Sequence, residues 1–400
     1  MSAVHNLVSE EPAARSWRPE IELLLSCARA RVDREGAARI RALVEHELDW
    51  DYLLRVADRH GLQPLLHHHL DAICATSVPD AYAQRLREAA RRVSALNTFL
   101  ANELQRLLAL FAAEGIEAMP YKGPALAAEI YGNIALRQSS DLDILVRPRD
   151  VPRASEILLA EGYAPLPPLN HAQQTLLMRM QCNLPFTREQ NRLIVELHWA
   201  VSAPRFARPF ADDALWSGRE AGQLGATKIK RLAIEDLLLA LCVHGSKHLW
   251  ERLAWVCDIA ELIAQRPDVN WPVLIAAARA TGSERMLLLG LRLAADLLAV
   301  PLPPEAEQAL AADPMIGALA AEVVRYLFTP ELTPSGLTGY FRFQLKARRR
   351  LRDKVQYLCF VITPTENDLA RLALPAPFTF VYYLLRPVRM LTTGGPDHFH

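Results

Sequence analysis

The segment Asp141-Leu142-Asp143-Ile144-Leu145-Val146 constrains the fold of this chain more than any other. Its alternating pattern and its β-branched residues predict a strand from Leu142 to Val146. Because alternate side chains of a strand share a face, Asp141 and Asp143 should project together while Leu142 and Ile144 point into the core. Two adjacent carboxylates repel each other unless a cation lies between them. The segment therefore predicts both a sheet and a candidate cation site.

A second strand is predicted from Leu193 to Trp199, and it carries Glu196 inside an otherwise apolar run. Burying an unpartnered carboxylate is unfavourable, so Glu196 is the candidate third acid beside Asp141 and Asp143. Three such oxygen donors suit Mg²⁺ or Mn²⁺ in a two-metal site. His198 lies on the same strand face as Glu196, so it is a candidate to orient that carboxylate or to contact phosphate. A buried, hydrogen-bonded histidine is the alternative.

The residues before the acidic strand predict an anion-binding turn. A short strand from Ile116 to Tyr121 leads into Lys122-Gly123 and a brief helix from Ala125 to Tyr131. Glycine permits close backbone approach, a helix start presents free amides, and the lysine adds a positive charge. The structural alternatives are a surface position for Lys122 and, for Arg137, a salt bridge to Asp141. Further candidates for nucleotide binding are Arg137, Ser139, Ser140 and, on a later helix, Lys247.

The rest of the chain is predicted to be mostly helical. Apolar residues recur at intervals of three and four from Glu20 to about Ala113, and the chain is helical again from Ile234 onward. We therefore expect an α+β fold whose cleft lies between the acidic sheet face and the helices after residue 234. The predicted regions are a flexible leader (1–18), an N-terminal helical region (19–98), a core (99–232), a helical domain closing the cleft (233–328) and a C-terminal tail region (329–400).

Composition limits the partners and the compartment. The chain has 400 residues with 45 basic and 45 acidic side chains, so general nucleic-acid binding is not expected. Six cysteines without a CxxC pair indicate buried thiols of a reducing compartment. No apolar signal segment and no run of eighteen apolar residues is present, which predicts a cytoplasmic protein without a transmembrane segment. The basic run from Lys346 to Arg352 and the segment from Phe378 to Leu385 leave a peripheral or partner contact open, with a solvated face and core packing as alternatives.

Several segments spread along the chain, among them the acidic strand and the Lys122-Gly123 turn, together resemble an uncharacterised bacterial nucleotidyltransferase family of the polymerase-β-like superfamily. The resemblance implies a polymerase-β-like core, which is a small mixed sheet with flanking helices, between N-terminal and C-terminal helical regions. The wider superfamily usually has Gly-Ser at the helix-start turn, and here Gly123-Pro124 stands in its place. The segments that carry the resemblance are Asp49 to Leu66, Lys122-Gly123, Leu126, Tyr131, Arg137, Asp141 to Val146, Glu196 to Trp199, His244 to Asp258 and Tyr382 to Arg389.

The resemblance also implies an activity. A nucleoside monophosphate would pass from a nucleoside triphosphate, with ATP as the expected substrate, to a hydroxyl or similar acceptor, and pyrophosphate would be released. The acceptor would be a small molecule, a peptide or a protein. Asp141, Asp143 and Glu196 would be both the catalytic and the metal-binding residues, with Mg²⁺ or Mn²⁺ as the cofactor. Glu196 could also act as the base for the acceptor hydroxyl.

A second cluster leaves another function open. His244 and His248 lie four residues apart on one predicted helix face, and Asp258 follows. Histidines at this spacing bind zinc, so a metal phosphohydrolase is an alternative, as are nucleotide contact and simple interface packing. A catalytically silent scaffold of the same fold is a further alternative. The three acids and Lys122 favour the transferase, because a silent fold has no physical need for three acids on one sheet face.

Overall fold

The computed structural model of the protein describes residues 17–189, 193–207, 212–329, 337–372, 374 and 378–393. Residues 1–16, which form most of the predicted leader, lie outside the described residues, as do parts of the predicted tail. The N-terminal region is helical and contains α1 (Pro19–Ser26), α2 (Arg34–Val44), α3 (Trp50–Arg59), α4 (Gln63–Cys74) and α5 (Asp80–Ala113). The single helix α5 runs through the predicted boundary at residues 98 and 99.

The strand-containing unit follows. Its elements are β1 (Ala118–Pro120), α6 (Gly123–Leu126), β2 (Leu142–Val146), α7 (Val151–Ala160), β3 (Ala164–Pro165), α8 (His171–Met180), β4 (Asn183–Arg188), β5 (Leu193–His198), α9 (Asp212–Ser217), β6 (Glu220–Leu224) and β7 (Thr227–Arg231). The short helix α6 continues into a π-helical turn, Ala127–Tyr131. The predicted helix from Ala125 to Tyr131 is therefore split between two hydrogen-bonding patterns.

The C-terminal half of the described chain is helical, as its apolar periodicity predicts. Its helices are α10 (Ile234–Lys247), α11 (Leu253–Gln265), α12 (Trp271–Thr281), α13 (Glu284–Leu298), α14 (Pro304–Ala311), α15 (Met315–Phe328), α16 (Leu337–Lys346), α17 (Leu351–Val361), α18 (Glu366–Arg371) and α19 (Phe380–Thr393). Within the described residues, none of the helices has the length and apolar character needed to cross a bilayer.

The central sheet is small and mixed, with the strand order β1-β2-β5-β4-β3. Strands β2 and β5 are parallel, and their register places Asp143 directly opposite Glu196. Strand β4 is antiparallel to β5 and places Asn183 opposite His198. A separate hairpin joins β6 to β7. These elements confirm the α+β class with a small mixed sheet and flanking helices.

The two faces of the sheet have different surroundings. Leu142, Ile144 and Leu197 are buried in an apolar core to which α5, α7 and α8 contribute. Asp143 and Glu196 alternate with these residues along β2 and β5, so they project from the opposite face. The predicted alternation is therefore confirmed for β2, and the sheet separates its apolar packing from its acidic groups.

The cysteines depart from the sequence-based expectation at one position. Five of the six are buried, as their apolar surroundings predict. Cys359 is exposed, so the expectation of a buried thiol is wrong there. Cys359 lies on the outer side of α17, and this helix carries apolar residues on its outer side as well as on its inner side. Apolar surroundings in the sequence therefore do not indicate burial at this position.

His60, which directly follows α3, joins three helical regions. The amide N–H of Leu253 donates to its Nδ1 at 3.2 Å, and its Nε2 lies 3.0 Å from the carbonyl oxygen of Leu327. An amide can only donate, so Nδ1 must be the unprotonated acceptor while Nε2 donates to the carbonyl. The ring is fully buried and both nitrogens are occupied in its neutral form. Adding a proton would break the bond to Leu253.

We expect His60 to make the fold sensitive to acid. Burial, and then the charge of Arg59, lower the pKa of His60 to about 4. The unfolded chain takes up the proton near pH 6.5, so this stability is present above that pH and is lost as the pH falls towards 4. Between pH 7 and 4, urea unfolding should show a loss about 3 kcal/mol larger for the wild type than for His60→Gln. His46→Gln, at an exposed site, should follow the wild type; equal losses for the wild type and His60→Gln would contradict the prediction.

Candidate active site

Asp143, Glu196 and His198 converge on the polar face of the sheet. The Nε2 atom of His198 lies 3.1 Å from Oδ1 of Asp143 and 3.0 Å from Oε2 of Glu196. One possible ligand atom from each residue lies within 4.8 Å of the other two, and within the described part of the chain this is the only such group of three or more His, Cys, Asp or Glu residues. The parallel register of β2 and β5 creates this convergence, because it sets the two acids side by side.

Two polar neighbours fix the orientation of these side chains. The Nδ2 amide of Asn183 donates to Oε2 of Glu196 at 3.0 Å. The hydroxyl of Tyr121 lies 3.2 Å from Nδ1 of His198, so both ring nitrogens have a partner. Partners of this kind hold ligand side chains in one orientation and tune their basicity. Neither neighbour has a role that was predicted from the sequence.

Lys122 lies inside the acidic cluster. Its Nζ is 2.5 Å from Oδ1 of Asp143, and both side chains are largely shielded from solvent. The turn that follows lies tightly against the acidic strand: Gly123 has φ +60°, and a Cβ there would come within 3.0 Å of the backbone oxygen of Asp141. Only glycine adopts this conformation readily and leaves room for the approach. The predicted close turn is present, although α6 itself is only four residues long.

The cluster holds more negative than positive charge. Burial opposes ionisation of Asp143, but Lys122 and the hydrogen bond from His198 outweigh it and hold the pKa of Asp143 well below its usual range. Burial, and then the charge of Asp143, raise the pKa of Asp141 to about 6. Burial alone would lower the pKa of His198, but its bonds to Asp143 and Glu196 raise it well above the usual value. The positive charges of Lys122 and His198 therefore do not fully balance the negative charges of the three acids, and Asp141 is left without a positive partner of its own among the described residues.

A divalent cation fits this donor set. Carboxylate oxygens of Asp143 and Glu196 converge from adjacent strands, and Asp141 lines the cleft next to them. Oxygen-rich sites of this kind suit Mg²⁺ or Mn²⁺. Burial, and then the charge of Asp143, raise the pKa of Asp141, and a cation bound beside this carboxylate would favour its ionised form. The residues present would fit Mg²⁺ or Mn²⁺, and binding of either ion stays a prediction.

A cleft of about 590 Å³ lies above the cluster. It lies between the acidic sheet face and α10, as expected from the sequence. A third side comes from the loop after β5 and from the region of α17 and α18, all outside the helical domain (233–328) that was predicted to close the cleft. The predicted site residues that line the cleft are Lys122, Ser140, Asp141, Glu196, His198, His244, Lys247 and His248, and the unpredicted ones include Phe206, Phe360, Glu366 and Asn367.

Arg137 is engaged elsewhere. Its Nε and Nη2 donate to the two carboxylate oxygens of Asp258 at 2.8 and 2.9 Å, and Tyr131 adds a hydroxyl bond at 3.0 Å. Arg137 does form a salt bridge, as the structural alternative predicts, but its partner is Asp258 and not Asp141. Ser139 is buried and accepts from Arg137 at 3.4 Å. Phosphate binding by Arg137 and Ser139 remains a prediction that these contacts do not support.

The second histidine cluster does not assemble the predicted phosphohydrolase triad. The rings of His244 and His248 are 4.7 Å apart between centroids, and both pack against Trp255. Burial lowers the pKa of both rings well below the usual value, so they are neutral at pH 7. Both oxygens of Asp258 are occupied by Arg137. Within the described residues, the two histidines and Asp258 form no converging metal-ligand group.

Asn183 could have been found from the sequence. Leu184 and Phe186 are apolar residues spaced by two, which is the pattern of a half-buried strand, and Asn183 directly precedes them. Recognising β4 would have placed a polar residue near the acidic strand. Glu366 and Phe360 carry no comparable local signal, because their approach to the cleft depends on the packing of distant helices.

Comparison with known protein families matches residues 46–299 to the family model described as "Uncharacterised nucleotidyltransferase". No curated protein and no solved structure matches the chain. The matched range covers more than half of the 400 residues and contains the acidic cluster, Lys122 and the cleft-facing side of α10. The chain therefore belongs to the uncharacterised nucleotidyltransferase family.

Proposed function

We propose that this protein is a metal-dependent nucleotidyltransferase that moves a nucleoside monophosphate from a nucleoside triphosphate to a hydroxyl or similar acceptor. The observation that carries the proposal is the convergence of Asp143, Glu196 and Lys122 on one sheet face beneath the cleft. Buried acids beside a lysine on a cleft floor match the charge of a triphosphate and its cation. Membership of the family supports nucleotidyl transfer, and a polymerase-β-like core is part of the proposal.

The acidic residues would hold the cation. Asp143 and Glu196 supply converging oxygens, and Asp141 supplies a third carboxylate at the edge of the cleft. When bound, Mg²⁺ or Mn²⁺ would neutralise charge on the triphosphate and make the acceptor hydroxyl more acidic. His198 and Asn183 would keep Glu196 in place, because each already contacts its Oε2 atom.

The charged side chains around the cluster would position the phosphates. Lys122 would exchange its contact with Asp143 for a phosphate oxygen once another positive charge neutralises that carboxylate. Ser140 lies at the rim beside Asp141, and Lys247 reaches the cleft from α10 on the facing wall. A triphosphate held between Lys122 and Lys247 would present its α-phosphorus above the acidic cluster. Most of the rate enhancement would then come from positioning and electrostatics.

The reaction would be a single in-line displacement. The acceptor oxygen forms a bond to the α-phosphorus while the bond from that phosphorus to the bridging oxygen breaks. The electrons of the broken bond leave with pyrophosphate. The hydroxyl proton passes to a carboxylate, and Glu196 is the candidate because its side chain is partly exposed to the cleft.

Metal-dependent nucleotide binding tests the proposal without knowledge of the acceptor. Each of the four nucleoside triphosphates is titrated into the protein by calorimetry, with Mg²⁺ and with EDTA, and pyrophosphate release is followed in parallel. We expect binding of at least one nucleotide, with ATP expected first, that requires Mg²⁺. Failure of all four to bind in the presence of Mg²⁺ or Mn²⁺ would contradict the proposal and would favour a silent scaffold.

A further inference from the structure

Helix α17 presents an apolar stripe to solvent. Leu351, Val355, Leu358 and Ile362 follow one another at spacings of four, three and four residues, so they share one helix face. Their exposed fractions lie between 41 and 76%. The inner side of the same helix carries Phe360, which is buried and reaches the cleft. The helix is thus apolar on both sides, and among the described residues its outer side faces solvent.

Helix α19 repeats the pattern. Phe380, Leu384 and Val388 are spaced by four residues, and each is more than half exposed. Arg386 points the other way, is fully buried, and donates from Nε to the carbonyl oxygen of Val361 at 2.8 Å. This bond joins α19 to the end of α17. Two exposed apolar stripes therefore belong to one connected helical unit.

The sequence around the stripes is strongly basic. Residues 337–393 contain ten Lys or Arg and three acidic residues, in a chain that is neutral as a whole. Two of the acids, Asp353 and Asp368, are buried. By contrast, the side chains of Arg342, Arg349 and Arg352 are each more than half exposed, although each forms a long ion pair, with Glu322, Glu284 and Asp353 respectively. The charge that this unit shows to solvent is therefore positive.

An open groove of about 490 Å³ lies beside α17. Phe341 and Leu345 provide apolar lining, and Lys354 of α17 provides a positive charge next to the stripe. No ion pair joins Lys354 to an acidic side chain within the described residues. The other basic residues in the lining are Arg285, which pairs with Asp313, and Lys346 and Arg342, which both pair with Glu322. The groove combines an apolar wall with cationic groups at its edge.

We propose that α17 and α19 form a peripheral anchor that binds an anionic lipid bilayer. The two stripes would enter the interface between headgroups and acyl chains, and the exposed arginines and Lys354 would contact lipid phosphates. A second copy of the chain is a poorer occupant, because a symmetric contact would bring two positively charged surfaces together. An anionic bilayer satisfies both the apolar face and its positive surroundings. The inference is independent of the proposed catalytic function.

Vesicle co-sedimentation tests this anchor. The full-length protein is mixed with vesicles of phosphatidylcholine alone, or of phosphatidylcholine with phosphatidylglycerol, at low and at high salt. We expect binding to the anionic vesicles to be at least about tenfold tighter than to the neutral ones, and to weaken with salt, because each basic residue near the surface adds about 1 kcal/mol. Equal binding to both vesicles, or binding to neither, would overturn the proposal.

Matched variants distinguish binding through the anchor from nonspecific adsorption to the vesicles. The double variant Leu351→Gln/Leu358→Gln should lower binding to anionic vesicles at least about tenfold, because two inserted side chains are lost. Leu159→Gln, on α7, removes a leucine that is 49% exposed outside the anchor and should bind like the wild type. Thermal unfolding verifies that both variants are folded. Light scattering that shows a dimer lost in Leu351→Gln/Leu358→Gln, without vesicle binding by the wild type, would assign the surface to another copy and overturn the proposal.

Discussion

Asp143→Asn should lower the rate of nucleotidyl transfer by about 10³-fold or more while leaving the protein folded. The substitution keeps the size of the side chain but removes the negative charge that Lys122 and His198 both contact. It also removes one of the two carboxylates that the β2–β5 register sets side by side. The loss should therefore appear in kcat and in metal affinity.

The control for this prediction is Asp150→Asn. Asp150 lies beyond the opposite end of β2, where the only ion pair of its side chain among the described residues is with the exposed Arg149. Pyrophosphate release should be unchanged in this variant, and thermal unfolding should report folded protein for both. Full turnover by Asp143→Asn would remove the acidic cluster from the proposed mechanism.

Arg137→Met should destabilise the protein by about 3–5 kcal/mol. The substitution keeps a long side chain, so its main effect is to leave the carboxylate of Asp258 buried without its bidentate partner. Adding Asp258→Asn removes that charge and keeps an oxygen for the hydroxyl of Tyr131, so the double variant should regain most of the lost stability. Urea unfolding of the wild type, both single variants and the double variant gives the coupling free energy of the pair.

The same double variant decides whether Arg137 also binds phosphate. If the arginine is purely structural, the double variant recovers nucleotide affinity together with stability. If it contacts phosphate, stability returns and affinity does not. Arg85→Met breaks an ion pair that is exposed on both sides and should change stability little. A small stability loss in Arg137→Met would contradict a structural role for the buried pair.

The sequence was sufficient to predict that Asp143 and Glu196 project from the polar face of the sheet, because its signals are local. Strand alternation in β2 separated Asp143 from Leu142 and Ile144, and an acid inside an apolar run identified Glu196. Glycine at position 123 predicted a close turn, and the positive φ there bears this out. Each of these inferences needs only the geometry of one strand or one turn.

Other features depend on contacts between distant parts of the chain. The partner of Arg137 lies 121 residues away in sequence, so spacing alone favoured the nearer Asp141. The triad of converging ligand atoms contains His198, where the sequence suggested Asp141, because β2 begins only at Leu142 and Asp141 lies just outside its pairing. Local patterns do not encode which residues meet across a tertiary fold.

The residues that line the cleft come from inside and from outside the matched family region. The matched family region ends at residue 299, yet Phe360, Glu366 and Asn367 contribute to the same cleft as the acidic cluster. The proposed nucleotide chemistry would thus lie within the matched region, while residues beyond position 299 supply part of the enclosure over the site. Under the proposed function, substitutions in that C-terminal segment would change which acceptor the cleft admits without altering the residues proposed to contact phosphate.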